Sequence, residues 1–175
     1  YEGDKEARRQ MHDAQCLAGM AFSNALLGIV HSMAHKTGAA FSGGHIIHGA
    51  ANAMYLPRVI QYNARDPRAA ERYADIARRL HLSGDTTEEL VASLVAELRH
   101  MNDELNIPQA IKYYGEGGLP AETSIIDEAE FLEKLPQVAE LAIGDACTGS
   151  NPRAITPEQM AKLFKCTFYG TEVDF

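Results

Sequence analysis

The sequence predicts an all-α protein of about seven or eight helices. Apolar residues recur with the helical period over long stretches, and several stretches begin with Asp, Thr or Pro residues that typically start helices. No stretch alternates apolar and polar residues over the length that a half-buried strand needs. A chain of 175 residues has the length of one domain with one sizeable core, so we expect residues 1–175 to form a single helical domain.

The first helical pattern is also the longest. It runs over residues 5–38 and is expected to break near Gly19 or Gly28, because glycine weakens a helix interior. Residues 41–47 are predicted to form a loop, since they contain the turn-forming Ser-Gly-Gly sequence.

The next three helices have clearer boundaries. The first covers residues 48–62, and Pro57 is expected to kink it. An Asp-Pro pair starts the second helix, over residues 66–80. A capping box, with Thr at the first position and Glu three residues later, starts the third over residues 86–105.

The last third of the chain contains shorter helical patterns. Residues 108–115 are predicted to form a short helix after a proline, followed by a turn-rich break over 115–120. Residues 131–143 suggest one or two short helices split at Pro136. A Thr-Pro-Glu-Gln start predicts the last helix over residues 156–169.

Composition and charge exclude several classes of function. The formal net charge of −8 makes binding to nucleic acid through phosphate neutralisation unfavourable. No apolar run approaches the roughly eighteen residues that a membrane span needs, and the polar N-terminus lacks a secretion signal. Three widely spaced cysteines indicate reduced thiols. We therefore expect a cytoplasmic protein with neither nucleic acid nor membrane as a partner.

Two features indicate that the chain is part of a longer protein. It begins with Tyr1 rather than Met, and no glycine-rich phosphate loop lies between a strand and a helix. If the whole protein uses a nucleotide, we expect the nucleotide to bind outside this chain.

Four of the seven histidines fall within eighteen residues: His31, His35, His45 and His48. His31 and His35 are four residues apart, so on a helix their rings share one face. Imidazole is the commonest metal ligand among side chains, and this spacing predicts part of a metal site. From spacing alone, structural or surface histidines remain the alternative.

Several blocks around these histidines resemble the metal-binding domain of iron-activated alcohol dehydrogenases. The blocks are residues 19–28, which lead into the first histidine pair, residues 48–53, residues 147–153 and the terminal Tyr-Gly at 169–170. The resemblance covers essentially the whole chain and is closest to the alcohol dehydrogenase half of bifunctional aldehyde–alcohol dehydrogenases. It implies the multi-helix C-terminal domain of the dehydroquinate synthase-like, iron-containing alcohol dehydrogenase architecture, without its nucleotide-binding N-terminal domain.

The resemblance implies that His31 and His48 are two of four metal ligands. The other two, an aspartate and a histidine, belong to a preceding helix of the family that has no counterpart here. His48 matches the ligand better than His45, because Gly-Ala-Ala-Asn follows it directly. Ile47 stands where the family has proline, and the loop before it is longer than usual.

The resemblance also implies roles for three other residues. His35 matches a position that faces nicotinamide and substrate, so we expect a catalytic role in proton relay or orientation. Phe22 and Cys147 match positions that line the substrate and nicotinamide pocket, with core packing as the alternative. The Asn-Pro-Arg sequence at 151–153 is expected to fix the loop that carries Cys147.

The implied function is that of a metal-binding domain in an NAD-linked, iron-dependent alcohol dehydrogenase that interconverts short primary alcohols and aldehydes. Fe(II) is implied by the family alone, and Zn(II) remains the alternative because imidazole suits both. NAD would be bound mainly by the other domain, so we expect the chain alone to be inactive. Two alternatives remain: a zinc-type relative similar to glycerol dehydrogenase, and a helical oligomerisation module. A homo-oligomer is expected for the implied function and for both alternatives.

Overall fold

Seven α-helices make up most of residues 3–175, the part of the chain described by this computed structural model. They are α1 (Lys5–Ala25), α2 (Gly28–Thr37), α3 (His48–Asn63), α4 (Pro67–Arg79), α5 (Thr87–Glu104), α6 (Glu128–Ile143) and α7 (Pro157–Tyr169). Short 3-10 turns lie at Ile111–Tyr113, Glu116–Gly118 and Thr148–Ser150. These residues include one isolated antiparallel bridge and no β-strand. The all-α prediction is confirmed.

Side-chain caps start the helices where the sequence predicts them. The Asp66 carboxylate accepts from two backbone N–H groups at the start of α4. Both predicted capping boxes are complete, Thr86 with Glu89 on α5 and Thr156 with Gln159 on α7. Each box satisfies backbone donors that the first turn of a helix leaves free.

The long N-terminal pattern breaks at Gly28 and not at Gly19. Leu26 and Gly28 adopt positive φ angles of 62° and 67°, and α1 and α2 meet there at an angle of 103°. Gly28 accepts this backbone conformation without the steric penalty that a side chain brings. The bend starts a new helix three residues before His31.

The kink expected at Pro57 inside α3 stays a prediction, whereas two other expectations about proline were wrong. Helix α6 runs unbroken through Pro136 because Phe131, Leu135 and Val138 bury one continuous face on both sides of it. Tertiary packing thus offsets the lost backbone hydrogen bond. Residues 108–115 form only a 3-10 turn, since their backbone groups pair with the following loop, such as Gly115 N–H with Leu119 O at 2.8 Å.

Helix α3 is central to the fold, because it packs against α2, α5 and α7. The larger hydrophobic cluster joins α2, α3, α6 and α7, and its largest fully buried side chains include Tyr55, Phe131 and Phe164. The Tyr55 hydroxyl donates to Thr37 Oγ1 at 2.8 Å, which ties α3 to the end of α2. A smaller cluster joins α4 and α5 to Ile60. Packing of α2 on α3 brings the histidines of both helices together.

Helix α1 differs from the others because none of its residues is buried. Its exposed large apolar residues are Met11, Leu17, Met20 and Phe22, and Leu26 follows at its end. No single helix within residues 3–175 is long and apolar enough to cross a membrane. Helices α1 and α2 reach the length and apolar composition of a membrane span only when they are counted together, and they are bent by 103° where they meet.

Candidate metal centre

Three histidine rings lie together where α2 meets the start of α3. The ring centroids are 5.2 Å apart for His31 and His48, 5.4 Å for His35 and His48, and 6.0 Å for His31 and His35. The two α2 histidines share one face because they are one helical turn apart. The structure therefore brings together three of the four clustered histidines of the sequence.

The amide of Asn52 shows where two of these rings point. Its Nδ2 lies 3.2 Å from His31 Nε2 and 3.0 Å from His48 Nε2. Two ring nitrogens therefore converge on one point between α2 and α3. Asn52 lies one turn after His48 on α3, and the sequence analysis noted it only as part of the Gly-Ala-Ala-Asn block.

The donor set at this point fits a divalent cation. The Asn52 Oδ1 atom is buried and has no hydrogen-bond partner among residues 3–175, so only the two histidines hold this amide. Burial lowers the pKa of His31, and the neighbouring His48 and His35 lower it further. A lower pKa favours the neutral imidazole, which is the form that binds a metal. His31 and His48 thus supply two ligand positions and leave others open.

The loop before His48 is held on both sides. The Glu130 carboxylate accepts from Ser42 N at 2.9 Å and from Ser42 Oγ at 2.9 Å. Closer to the centre, the Tyr114 hydroxyl accepts from Ile47 N at 2.8 Å. These hydrogen bonds therefore fix the entry to α3 although Ile47 stands in place of the family's proline.

His45 lies apart from the three-ring group. It is exposed, and its Cε1 lies 3.4 Å from the position that a Cβ on Gly38 would occupy, at the end of α2. Its carbonyl oxygen accepts from the Tyr114 hydroxyl at 3.4 Å. This placement agrees with the choice of His48 over His45 as the candidate ligand.

A carboxylate that the sequence analysis missed lies against His35. Asp145 Oδ2 is 3.2 Å from His35 Nδ1 and 2.9 Å from Lys36 Nζ. Burial alone raises the pKa of Asp145, but hydrogen bonds from Lys36, from the Cys147 amide and from His35 hold it well below its usual range. Asp145 follows α6, more than a hundred residues after His35, so no local pattern signals the pair.

The two predicted pocket residues lie on different segments. Cys147 is half-buried beside Asp145, and both burial and a hydrogen bond to that carboxylate raise the pKa of its thiol. Phe22 lies on α1 before the 103° bend and is 44% exposed. The structure thus places Cys147 next to the His35–Asp145 pair, whereas Phe22 lies on α1, a helix without buried residues. Their roles in a pocket stay predictions.

The Asn-Pro-Arg segment fixes the loop that carries Cys147, as expected. Asn151 exchanges hydrogen bonds with the buried Asn63 of α3, at 2.7 and 3.1 Å. Its Oδ1 also accepts from Ile29 N at 3.4 Å, and Ser150 Oγ accepts from Gly28 N at 3.0 Å. The same loop therefore caps the start of α2, the helix that carries His31 and His35.

The model of the Fe-containing alcohol dehydrogenase family, C-terminal, matches residues 1–168. The chain therefore belongs to the iron-containing alcohol dehydrogenase family.

Named relatives agree with this assignment. The chain is 57% identical over 175 residues to the NADPH-dependent butanol dehydrogenase of Clostridium saccharobutylicum, covering 100% of this chain and 41% of that protein. It is 39% identical over 189 residues to the bifunctional aldehyde-alcohol dehydrogenase AdhE of Escherichia coli strain K12, covering 98% of this chain and 20% of that protein. The chain thus spans less than half the length of either relative.

Solved structures confirm the fold. The iron-containing alcohol dehydrogenase of Thermococcus thioreducens matches with a TM-score of 0.76 and 34% identity, covering 97% of this chain and 39% of that one. A 1,3-propanediol oxidoreductase matches with a TM-score of 0.78 and 32% identity, covering 95% and 39% respectively.

Proposed function

We propose that this chain is the metal-carrying domain of an NAD-linked, iron-dependent alcohol dehydrogenase that interconverts short primary alcohols and aldehydes. The observation that carries the proposal is the convergence of His31 Nε2 and His48 Nε2 on one amide, at 3.2 and 3.0 Å. Family membership supports it, because the matched relatives are named as alcohol dehydrogenases. The remaining ligands and the nucleotide would come from protein outside this chain.

Each residue of the centre has a distinct role in this proposal. His31 and His48 would hold a divalent cation through Nε2, and that cation would supply Lewis-acid polarisation of the alcohol oxygen. His35, 38% exposed at its side chain, is open to substrate and accepts or relays the hydroxyl proton. Cys147 and Phe22 form parts of the pocket wall that excludes water. A nicotinamide bound outside this chain would supply the hydride acceptor.

The proposed cofactors are Fe(II) and NAD. Imidazole ligands suit both Fe(II) and Zn(II), so the two histidines do not distinguish them. The Clostridium relative is named NADPH-dependent, which makes NADP the alternative nucleotide. Both metals and both nucleotides therefore belong in the activity assay.

A chimera tests the proposed activity. This chain would replace the matching segment of the Clostridium butanol dehydrogenase, with which it is 57% identical. We expect the chimera, loaded with Fe(II), to oxidise butanol, and we expect His48→Ala to lower activity by at least about a hundredfold because a ligand is lost. The matched control is His100→Ala, an exposed histidine on α5 that pairs with Glu104 of the same helix.

Two outcomes of the chimera assay would contradict parts of the proposed function. A folded chimera whose butanol oxidation survives His48→Ala would refute the proposed role of the histidine pair. Full activity with Zn(II) and none with Fe(II) would favour the zinc-type relative.

Replacing Asn52 by aspartate is expected to strengthen divalent-metal binding to this chain. The new carboxylate would lie where the amide now faces both His31 and His48, and it would add a charged third ligand. We expect the Kd for Fe(II) to fall by at least about tenfold, or about 1.4 kcal/mol. Anaerobic calorimetry measures this change. The double variant Asn52→Asp, His48→Ala should lose the gain, and a gain that persists there would place the added site elsewhere.

We also propose that this chain self-associates when it is alone. The exposed apolar side chains of α1, from Met11 to Leu26, form the part of the surface that other protein would cover. Sizing at two concentrations should show an apparent mass that rises with concentration. A Met11→Gln, Leu17→Gln variant should remain a monomer, and an unchanged monomeric size of the original chain would refute the proposal.

A further inference from the structure

The Asp145 carboxylate is unusually well fixed for a residue in a short connecting loop. Its side chain is 9% exposed. Oδ2 lies 3.2 Å from His35 Nδ1 and 2.9 Å from Lys36 Nζ, while Oδ1 accepts from Cys147 N at 3.0 Å and from Ser32 Oγ at 3.4 Å. These bonds fix its orientation from two sides, the α2 helix and its own loop.

The charge of this carboxylate decides which nitrogen of His35 carries hydrogen. An aspartate is ordinarily ionised at neutral pH, and Lys36 Nζ and Cys147 N both donate to this carboxylate, so Asp145 can only accept hydrogen bonds. The hydrogen in the His35–Asp145 bond must therefore belong to Nδ1 of His35. In the neutral ring, Nε2 then carries the free lone pair.

We propose that Asp145 is a positioning residue that holds His35 in its Nδ1–H form and leaves Nε2 as the proton acceptor of the metal centre. The His35 ring stacks on His48 at 5.4 Å with an interplanar angle of 12°, so the ring orientation that Asp145 fixes is also the one that faces the candidate ligands. Lys36 neutralises the carboxylate from the same helix, one residue after His35. The structural part of this proposal stands alone; the role of Nε2 in proton transfer rests on the proposed function.

The same three side chains, His35, Asp145 and Cys147, also have the composition of a metal site. Their ligand atoms lie within 4.8 Å of one another. However, the Lys36 ammonium already forms an ion pair with Asp145 Oδ2. A divalent cation at this oxygen would have to displace the ammonium and would be repelled by its positive charge. The arrangement is balanced in charge without a metal, which favours the positioning role.

Nitrogen-15 NMR of the histidine rings in this chain tests the proposal directly. At pH 8.5, where an ordinary imidazole is neutral, we expect His35 to show a protonated Nδ1 and an unprotonated Nε2. In Asp145→Asn the amide can donate to Nδ1, so we expect the Nδ1–H preference to be lost. Lys36→Met is the matched control, because it removes a partner of Asp145 but leaves the His35 bond, and it should keep the original tautomer.

Three results would overturn the proposal. The first is a protonated Nε2 on His35 in the unmodified chain, a result that does not depend on any variant folding. The second is an unchanged tautomer in a folded Asp145→Asn variant. The third is a sulfur-to-cadmium charge-transfer band on adding Cd(II) that disappears both in Cys147→Ser and in Asp145→Asn, since it would show that the thiol and the carboxylate bind metal together.

The kinetic consequence is tested separately in the chimera. Asp145→Asn should lower kcat by about a hundredfold, the usual range for losing a positioned acid–base group, while KM for butanol and the affinity for Fe(II) stay unchanged. If the NMR result holds and kcat does not fall, the positioning is real and the proton-transfer role of His35 is wrong. If the chimera is inactive throughout, only the proposed function fails, and the NMR result still decides the structural claim.

Discussion

Replacing Asn151 by alanine should lower the free energy of unfolding by about 3 kcal/mol, because buried polar groups that lose their partners cost about 1–3 kcal/mol each. Asn63, 2% exposed on α3, exchanges two hydrogen bonds with Asn151. Ile29 N–H, at the start of α2, would lose its acceptor as well. Urea unfolding followed by circular dichroism measures the change.

The matched control for this prediction is Asn24→Ala. Asn24 is exposed on α1, and its amide donates to the Met20 carbonyl of its own helix at 2.8 Å. We expect a change within about 0.5 kcal/mol, as for most surface substitutions. Equal effects for the two variants would mean that the asparagine pair does not stabilise the junction of α2 and α3.

Replacing Gly43 by alanine is expected to disturb both stability and the metal centre. A Cβ at this position would lie 1.8 Å from the Ile125 carbonyl oxygen, which is backbone and cannot rotate away. The loop that leads to His48 must therefore shift, at a cost of about 1–3 kcal/mol by analogy with overpacked sites. We expect weaker divalent-metal binding because His48 follows this loop directly. Urea unfolding and a metal titration measure the two effects.

Gly49→Ala provides the comparison for the loop prediction. Gly49 is the second residue of α3, and a Cβ there would meet nothing within 4 Å. Alanine at this site should leave stability unchanged or raise it slightly. If Gly43→Ala and Gly49→Ala behave alike, the close approach of Gly43 to Ile125 does not control the position of His48.

Local chemistry predicted much of the fold. Capping boxes at Thr86 and Thr156 and the cap at Asp66 act within one helical turn, so the sequence shows them directly. The proline inside α6 was misjudged because long-range burial outweighs a local helix-breaking tendency. The presence of each of these helices could therefore be predicted from the sequence. Whether a helix continues through a proline depends on packing against residues that are distant in the sequence.

The candidate site was predictable only in part, for the same reason. His31 and His35 are visible as a helical pair, and the family resemblance added His48. Asp145 has no local signal, since its importance comes from the tertiary contact of α2 with the loop after α6. Asn52 lies one helical turn after His48, but its contact with His31 depends on the packing of α2 on α3. Phe22 was expected in the pocket, and its place on an exposed helix leaves that role to be tested with the complete protein.

An anaerobic Fe(II) titration of this chain by calorimetry tests the central claim most directly. The claim is that His31 and His48 provide half of a divalent-metal site. We expect binding with a Kd no tighter than about 1 mM, or about −4 kcal/mol, that is lost in His48→Ala and kept in His100→Ala. Binding that survives His48→Ala would contradict the assignment of the ligand. Micromolar binding that depends on His48 would contradict the half-site, because other groups of this chain or a second copy would then complete it.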